Sequence, residues 1–403
     1  MADDANRVLV VGGGLGGLST ALALHRIGIE VTVLEQFPEL AEVGAGLGVW
    51  INGMAALEEL GVAERVQSGG SPNEIVEMKS ATGRTLVEVP VGELTRKHSA
   101  RPPVMAKRPE LLKALAEALP EGVARVSAKC VGVEQDEEGV TARLEDGGEE
   151  RGALLVGADG IGSTIRARAI DSGVAPKYAG YQYVRALTQE QVLPPDRFQF
   201  TFGPGDRIGI SDVGGGTTYW FVVLVAEQGT KSAPEETKRE VLSRLKDFPA
   251  PATEVVEATP AESMARVDIM HIDPMERWHH GRVVLVGDAA HATAPTGGRG
   301  AGEAIEDGVA LARCIGSAGA LADRGRLTSA LQSFQELRLG PTRKVQKDSL
   351  RSGKIASWKN PVGCRVRDVV IRRIIGPSLI KEIEAELKEA KESRAAVTAG
   401  TGG

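Results

Sequence analysis

The sequence predicts an α/β protein in which a parallel-sheet unit is interrupted by a β-rich one and followed by C-terminal helices. Three observations point to this. A strand–turn–helix–strand pattern opens the chain at residues 7–35. Alternating, turn-punctuated stretches fill the middle, at 73–91, 181–188, 198–212 and 218–226. A strand-like VVLVG at 283–287 then leads through a glycine-rich turn into a helix at 302.

Bulk properties set the limits. A chain of 403 residues, 42% apolar and 25% charged, is long enough to bury a large core in a soluble globular protein. Its formal net charge of -6 argues against a general nucleic-acid binder. The three cysteines, Cys130, Cys314 and Cys364, form no CxxC pair, so neither a disulfide framework nor a thiolate metal site is expected. The histidines lack carboxylates or cysteines at ligand spacing, so no metal is expected either. The acidic start, MADDANRVLVV, does not resemble a signal peptide, and no apolar run reaches the roughly 18 residues needed to span a bilayer. A cytoplasmic protein without membrane insertion, monomeric or homodimeric, is the expectation.

In chain order, RVLVV at 7–11 is a short buried strand, and 18–27 take up helical spacing until Gly28 stops the helix. VTVL at 31–34 is the second strand. Helices are predicted at 53–60, 109–119 and 302–314. After 377, Leu379, Ile380, Ile383 and Leu387 fall on one helical face, predicting a packed C-terminal helix. The predicted organisation is a nucleotide-binding domain made of 1–72, 100–176 and 272–355, and a β-sheet substrate domain made of 73–99 and 177–271. A helical segment at 356–395 and a disordered tail at 396–403 complete it.

The first glycine cluster satisfies GxGxxG at Gly12, Gly14 and Gly17, with Leu15 and Gly16 between. It follows a predicted strand, opens a predicted helix, and is followed by Glu35 at the end of the next strand. Gly12 permits the tight turn, Gly14 lets the backbone approach a pyrophosphate, and Gly17 lets helix and strand pack closely. The helix N-terminus offers N–H groups and a positive dipole to phosphates, and Glu35 is placed to accept from ribose hydroxyls. This Rossmann-like fingerprint alone leaves NAD and FAD open. GxSxG and Walker A motifs are missing from the sequence, which removes serine hydrolases and P-loop NTPases.

Two later segments, LLVGADGIGSTIR at 154–166 and VVLVGDAAHATAPTGGRGAGEAIED at 283–307, supply the rest. Together with GGGLGG, they resemble the three signature motifs of the class A flavoprotein aromatic hydroxylases, the p-hydroxybenzoate, salicylate and 3-hydroxybenzoate hydroxylases among them, in order and spacing from about Val8 to Gly353. The resemblance implies FAD as cofactor in the p-hydroxybenzoate hydroxylase fold. It also implies NADH or NADPH as a transient donor, and hydroxylation of a small aromatic or electron-rich substrate by O2 through a flavin C4a-hydroperoxide. An FAD-dependent reductase or oxidase of the same fold is the alternative.

By the same resemblance Asp288 bonds the ribityl chain, and Gly298, Gly300 and Ala301 lead a helix N-terminus toward the flavin. Asp159 positions FAD and the nicotinamide, with Ser163 and Arg166 continuing that motif. Arg108 contacts FAD from a helix start, and Gly46, in EVGAGLGVWING at 42–53, passes near the isoalloxazine. Gln36 stands where many relatives carry a base. Pro295 faces the flavin. Arg207 and Tyr219, twelve residues apart across the GGG turn, match an Arg/Tyr pair that meets substrate in urate-hydroxylating members. Arg185 is either a site or a structural residue. His291 reads as structural, and Arg299, standing where relatives have glutamine, signals an anionic substrate or a salt-bridged loop.

Overall fold

The structure, a computed structural model, describes residues 6–40, 45–317 and 319–400, with the last twelve of these as backbone only. The predicted strand Arg7–Val11 lies inside a six-stranded sheet. Its neighbours are Leu154–Gly157 on one side and Glu30–Leu34 on the other, both parallel to it. Val283–Leu285 extends the sheet in parallel beyond Leu154–Gly157, so the late VVLVG segment rejoins the first unit as expected. The edge strand His279–His280 pairs antiparallel, and Ala124–Arg125 closes the other edge. Val8, Leu9, Val10, Leu154, Leu155 and Val156 are all inaccessible to solvent, the unbroken apolar pattern of strands covered on both faces.

One cover is the helix Leu15–Arg26, which lies against Gly300–Ile315. A Cβ on Gly308 would sit 2.6 Å from the Thr20 nitrogen, so glycine is what lets the two helices touch backbone to backbone. Ile51–Glu59 crosses Gly300–Ile315 in the same way, with Gly53 over Gly302. Together with Arg108–Ala116, these helices coincide with the three predicted ones to within a few residues.

The β-rich middle forms a seven-stranded sheet in the order Ala265–His271, Lys177–Thr188, Thr218–Leu224, Arg207–Asp212, Arg197–Phe202, Ile75–Ser80 and Thr85–Val89. It is antiparallel except where Arg197–Phe202 runs parallel to Ile75–Ser80. Side chains alternate between its faces. Val184, Ile208, Ile210, Trp220 and Val222 pack on one face against the helices Pro234–Leu245 and Ala252–Glu257. The other face, carrying Tyr183, Phe198, Phe200, Tyr219 and Phe221, turns toward the first sheet.

Several elements have no counterpart among the predicted ones, the helices Pro234–Leu245 and Ala252–Glu257 and the strand Ala265–His271 among them. A three-stranded antiparallel meander covers Cys130–Gln135, Val140–Leu144 and Glu149–Gly152. A 33-residue helix, Arg324–Ala356, carries Pro341 inside it and is capped by the Asp323 side chain. Beyond it come Pro361–Val370, a π-helical turn Ile371–Ile375 and Gly376–Gly400. The backbone of the last helix runs to Gly400, over the first residues of the segment predicted as a disordered tail, and residues 401–403 lie outside the described residues. Ile383 and Leu387 are buried, as their shared face requires. No helix among the described residues is long and apolar enough to cross a membrane.

Candidate active site

Between the two sheets runs one continuous cleft of about 2330 Å³. Pockets for a single drug-sized molecule occupy about 300–1,000 Å³, so this one has room for an extended cofactor and a second molecule.

At one end the glycine turn forms the wall. Gly12 has φ +108°, and a Cβ there would lie 2.4 Å from the Ala158 carbonyl oxygen. A Cβ on Gly17 would be 1.9 Å from the Gly12 carbonyl oxygen. Both positions are therefore closed to any side chain. Gly12, Gly14, Leu15 and Gly16 line the cleft, whereas Gly17 sits behind it and acts only through packing. The helix Leu15–Arg26 begins with no side-chain cap, which leaves its first N–H groups directed at the cleft. Glu35 lines the slot while accepting from the Gly13 N–H (2.6 Å) and the Phe37 N–H (2.8 Å), so its carboxylate is fixed in place. Gln36 and Arg108 line the same slot.

Asp159, also at the cleft, accepts from the Ser163 hydroxyl (2.5 Å) and the Ile165 N–H (3.0 Å). Burial raises its pKa, and these bonds oppose the rise. Neither Ser163 nor Arg166 reaches the cleft. Arg166 is buried, donating to the carbonyls of Ala289 (2.9 Å) and Ile161 (2.6 Å), and so ties the Asp159 turn to the segment that carries Asp288.

Asp288 opens the short helix Asp288–His291 and lines the cleft, after Gly287 turns the chain at φ 58°. The next loop, including Pro295, Gly298, Gly300 and Ala301, continues the wall, with a 3-10 turn at Pro295–Gly297 and Gly298 in the left-handed region. It is held by the contact of the Thr296 hydroxyl with the Tyr181 hydroxyl at 2.9 Å. His291 lies behind this loop, buried, with Nε2 2.6 Å from Oδ2 of Asp307. Burial alone would lower its pKa, but the Asp307 charge and hydrogen bond outweigh that and raise it. Asp307 is held down to about 2: burial opposes this, while His291 and Arg338 drive it. Arg338 joins Asp307 (2.8 Å), Glu303 (2.6 Å) and Glu306 (2.7 Å). This buried network was not foreseen; its only sequence signal is the i,i+4 spacing of Glu303 and Asp307. Arg299 donates to Glu386 (2.5 Å) and Glu303 (3.1 Å), so it is a salt-bridged loop residue, and it also lines the cleft.

Of Arg207 and Tyr219, the two residues expected to meet substrate, the structure places only Tyr219 on the cleft wall. Tyr219 stands opposite Ser211, and Arg207 stands opposite Val223, four residues further along the strand. Arg207 is inaccessible to solvent and absent from the cleft wall. Its Nη1 donates to the Ser357 hydroxyl (3.0 Å) and its guanidinium lies 5.0 Å from the centre of the Tyr181 ring. Tyr219 does line the cleft. Burial pushes its phenol up to about 12, against the pull of the Arg185 guanidinium beside it. Arg185 lines the cleft too, with its Nε buried and without a hydrogen-bond partner. The arginine next to the tyrosine is thus the one supplied by the Lys177–Thr188 strand.

The model of the FAD binding domain family matches residues 5–333. The chain belongs to that family. Relatives include the aurachin C monooxygenase/isomerase of Stigmatella aurantiaca, 34% identical over 91% of this chain and 93% of the relative. The 3-amino-4-hydroxybenzoate 2-monooxygenase of Streptomyces cremeus is 30% identical over 94% of each chain. The FAD-dependent urate hydroxylase of Mycolicibacterium vanbaalenii is 32% identical over 76% of this chain and 78% of its own. The fold is that of Klebsiella pneumoniae HpxO complexed with FAD and uric acid, with a TM-score of 0.85 at 24% identity, covering 94% of this chain and 96% of that one. It is also that of a salicylate hydroxylase substrate complex, with a TM-score of 0.78 at 22% identity over 97% and 98%.

As a member of the FAD binding domain family, the chain has FAD as its cofactor, and the cleft suits a long, anionic, partly aromatic molecule. Backbone without side chains and open N–H groups stand at one end, with the fixed carboxylate of Glu35 and that of Asp288 along its length. At the other end the slot meets the aromatic face of the seven-stranded sheet.

Proposed function

We propose that this protein is an FAD-dependent monooxygenase that uses NADH or NADPH and O2 to hydroxylate a small aromatic or similarly electron-rich molecule. The observation that carries the reading is the junction of the two halves of the cleft. A slot suited to FAD opens, behind the loop at Pro295–Gly298, into a chamber walled by Tyr183, Phe198, Phe200, Tyr219 and Phe221. The named activities of the relatives support the same reaction class.

In this reading Gly12 to Gly16 and the N-terminus of Leu15–Arg26 hold the diphosphate, Glu35 the adenosine ribose, and Asp288 the ribityl chain. Arg108, Gln36 and Asp159 flank the same molecule. Gly298, Gly300 and Ala301 direct the N-terminus of Gly300–Ile315 at the flavin's pyrimidine edge, where a helix dipole favours negative charge. When bound, FAD supplies the electron transfer and the activation of O2. The chain must exclude water, hold the ring close, and favour an electron-rich form of it. The aromatic wall and Pro295 exclude water. The neutral Tyr219 hydroxyl, with the Arg185 cation beside it, orients a phenolic or carbonyl oxygen and stabilises negative charge on it. Residues 1–72, 100–176 and 272–355 form the cofactor-holding part, and 73–99 with 177–271 the roof.

The test is to purify the protein, measure bound FAD, and screen aromatic compounds for stimulation of NADH or NADPH oxidation under 18O2. Label in the product supports the reading. Stimulated oxidation that yields only hydrogen peroxide with every compound would make it an oxidase instead.

A further inference from the structure

The cleft does not end at the aromatic chamber. Past Phe198, Phe200 and Phe202 it continues along the C-terminal helices, where Ile371, Ile375 and Leu379 form its opposite wall. These three stand at i, i+4 and i+8, one face of the rod that runs from the π-helical turn Ile371–Ile375 into Gly376–Gly400. The rod is pressed onto the sheet edge at Gly376, where a Cβ would lie 2.6 Å from a Val87 methyl. From Ile371 to Leu379 the wall is about 12 Å long at 1.5 Å per residue.

Charge is sparse on the sheet wall and the rod wall of this stretch. Arg367 reaches the wall, but its Nη1 donates to the Gly203 carbonyl (2.7 Å) and its Nε and Nη2 to Asp368 (3.0 and 2.9 Å), so it offers little to an anion. On the rod the ionic side chains that line the cleft are Glu382 and Glu386, with Arg299 held by the latter, and the neighbouring helix Arg324–Ala356 adds Lys344 and Asp348 to the lining. The passage is therefore polar at Tyr219 and Arg185, apolar on its sheet wall and along Ile371–Leu379, and bordered by ionic groups of Arg324–Ala356 and of the rod's later turns. A benzoate-sized molecule would fill only the first part and leave the apolar walls facing water, which costs about 25 cal/mol per Å².

We propose that the substrate is an aromatic ring bearing an aliphatic chain, with the ring at Tyr219 and the chain lying between Phe198–Phe202 and Ile371–Leu379. This rests on the monooxygenase reading for the ring's position and adds the class of molecule. An apolar chain removes the walls from water, and each methylene buried contributes up to roughly fourfold in affinity.

Equilibrium binding to the oxidised, FAD-loaded protein tests this without turnover. Phenols carrying para-methyl, butyl and octyl groups are titrated, following the flavin absorbance and the fluorescence of tryptophan, since Trp50 also lines the cleft. The dissociation constant should fall at least about tenfold from methyl to octyl, below the full-burial limit. Ile375→Trp, which fills the passage, should flatten the series. Ile374→Trp, on the exposed side of the same turn, should leave it unchanged and controls for folding. Affinity independent of chain length in the unaltered protein, or octyl preference surviving in I375W, overturns the proposal. The outcome is separate from that of the reaction: chain-length preference without labelled product would sink the monooxygenase reading alone.

Discussion

Gly46 lies directly against the ring of Tyr219. A Cβ at Gly46 would stand 2.6 Å from Cγ of Tyr219 and 2.8 Å from its Cβ, closer than real contacts allow. Gly46 belongs to the strand Gly46–Val49, which pairs antiparallel with Val104–Lys107, so the backbone behind the tyrosine cannot easily retreat. Gly46→Ala should push the Tyr219 ring into the chamber. The expected result is a loss of about 10- to 100-fold in kcat/KM, the order that a misplacement near 1 Å produces, with FAD content preserved. Steady-state kinetics alongside flavin quantitation separate the two; full activity in G46A would mean that Tyr219 does not position the substrate.

Asp288 supplies a second prediction. It opens a helix whose preceding residue, Gly287, is fixed by a 2.8 Å bond to Asp307, so its carboxylate is presented to the cleft on a rigid support. Asp288→Ala should weaken FAD binding by roughly ten- to a hundredfold, the value of a charge-assisted hydrogen bond. Purified protein should be pale and regain colour with added FAD. Undiminished flavin content would remove Asp288 from the cofactor's partners.

How much of this was legible depended on distance along the chain. The fingerprint and Glu35 were readable because strand, turn, helix and acidic residue are contiguous, and each glycine answers a local steric demand: Gly12 meets Ala158, and Gly17 meets Gly12. Alternation identified the strands of the seven-stranded sheet other than Ala265–His271, but a period of two does not say which face meets the cofactor. That Arg207 and Tyr219 do not share a wall of the cleft has a related reason. Spacing across a turn gives no register, and the hairpin sets Ser211 opposite Tyr219. Ile371, Ile375 and Leu379 form the far wall from more than 140 residues beyond Tyr219, a meeting that no local pattern announces.

Tyr219 allows a prediction about coupling. With its phenol pushed up to about 12, it stays protonated through the working range and can donate a hydrogen bond throughout. Tyr219→Phe should therefore lower the fraction of NADH or NADPH oxidation that yields product, with no shift of any pH limb between about 6 and 9, where an ordinary tyrosine near 10 would begin to ionise. Product per nicotinamide oxidised, measured across that range, checks both parts.

The last prediction concerns the charges behind the flavin loop. Asp307 is fully buried and joined to His291 and Arg338, so replacing it with asparagine leaves Arg338 short of a partner in the interior. Breaking a buried pair costs about 3–5 kcal/mol, and Asp307→Asn should lower the melting temperature accordingly. The pH dependence follows from the directions of the shifts. Asp307 is depressed to about 2, so its contribution is present above its unfolded value near 4 and is lost as pH falls through about 2. His291 is raised, so its contribution is complete below its unfolded value near 6.5 and is lost as pH climbs through the higher folded one. His291→Gln should therefore lower stability most at acidic to neutral pH and flatten the alkaline decline. Melting curves at several pH values compare the two proteins, and parallel profiles would show that His291 carries no proton in the fold.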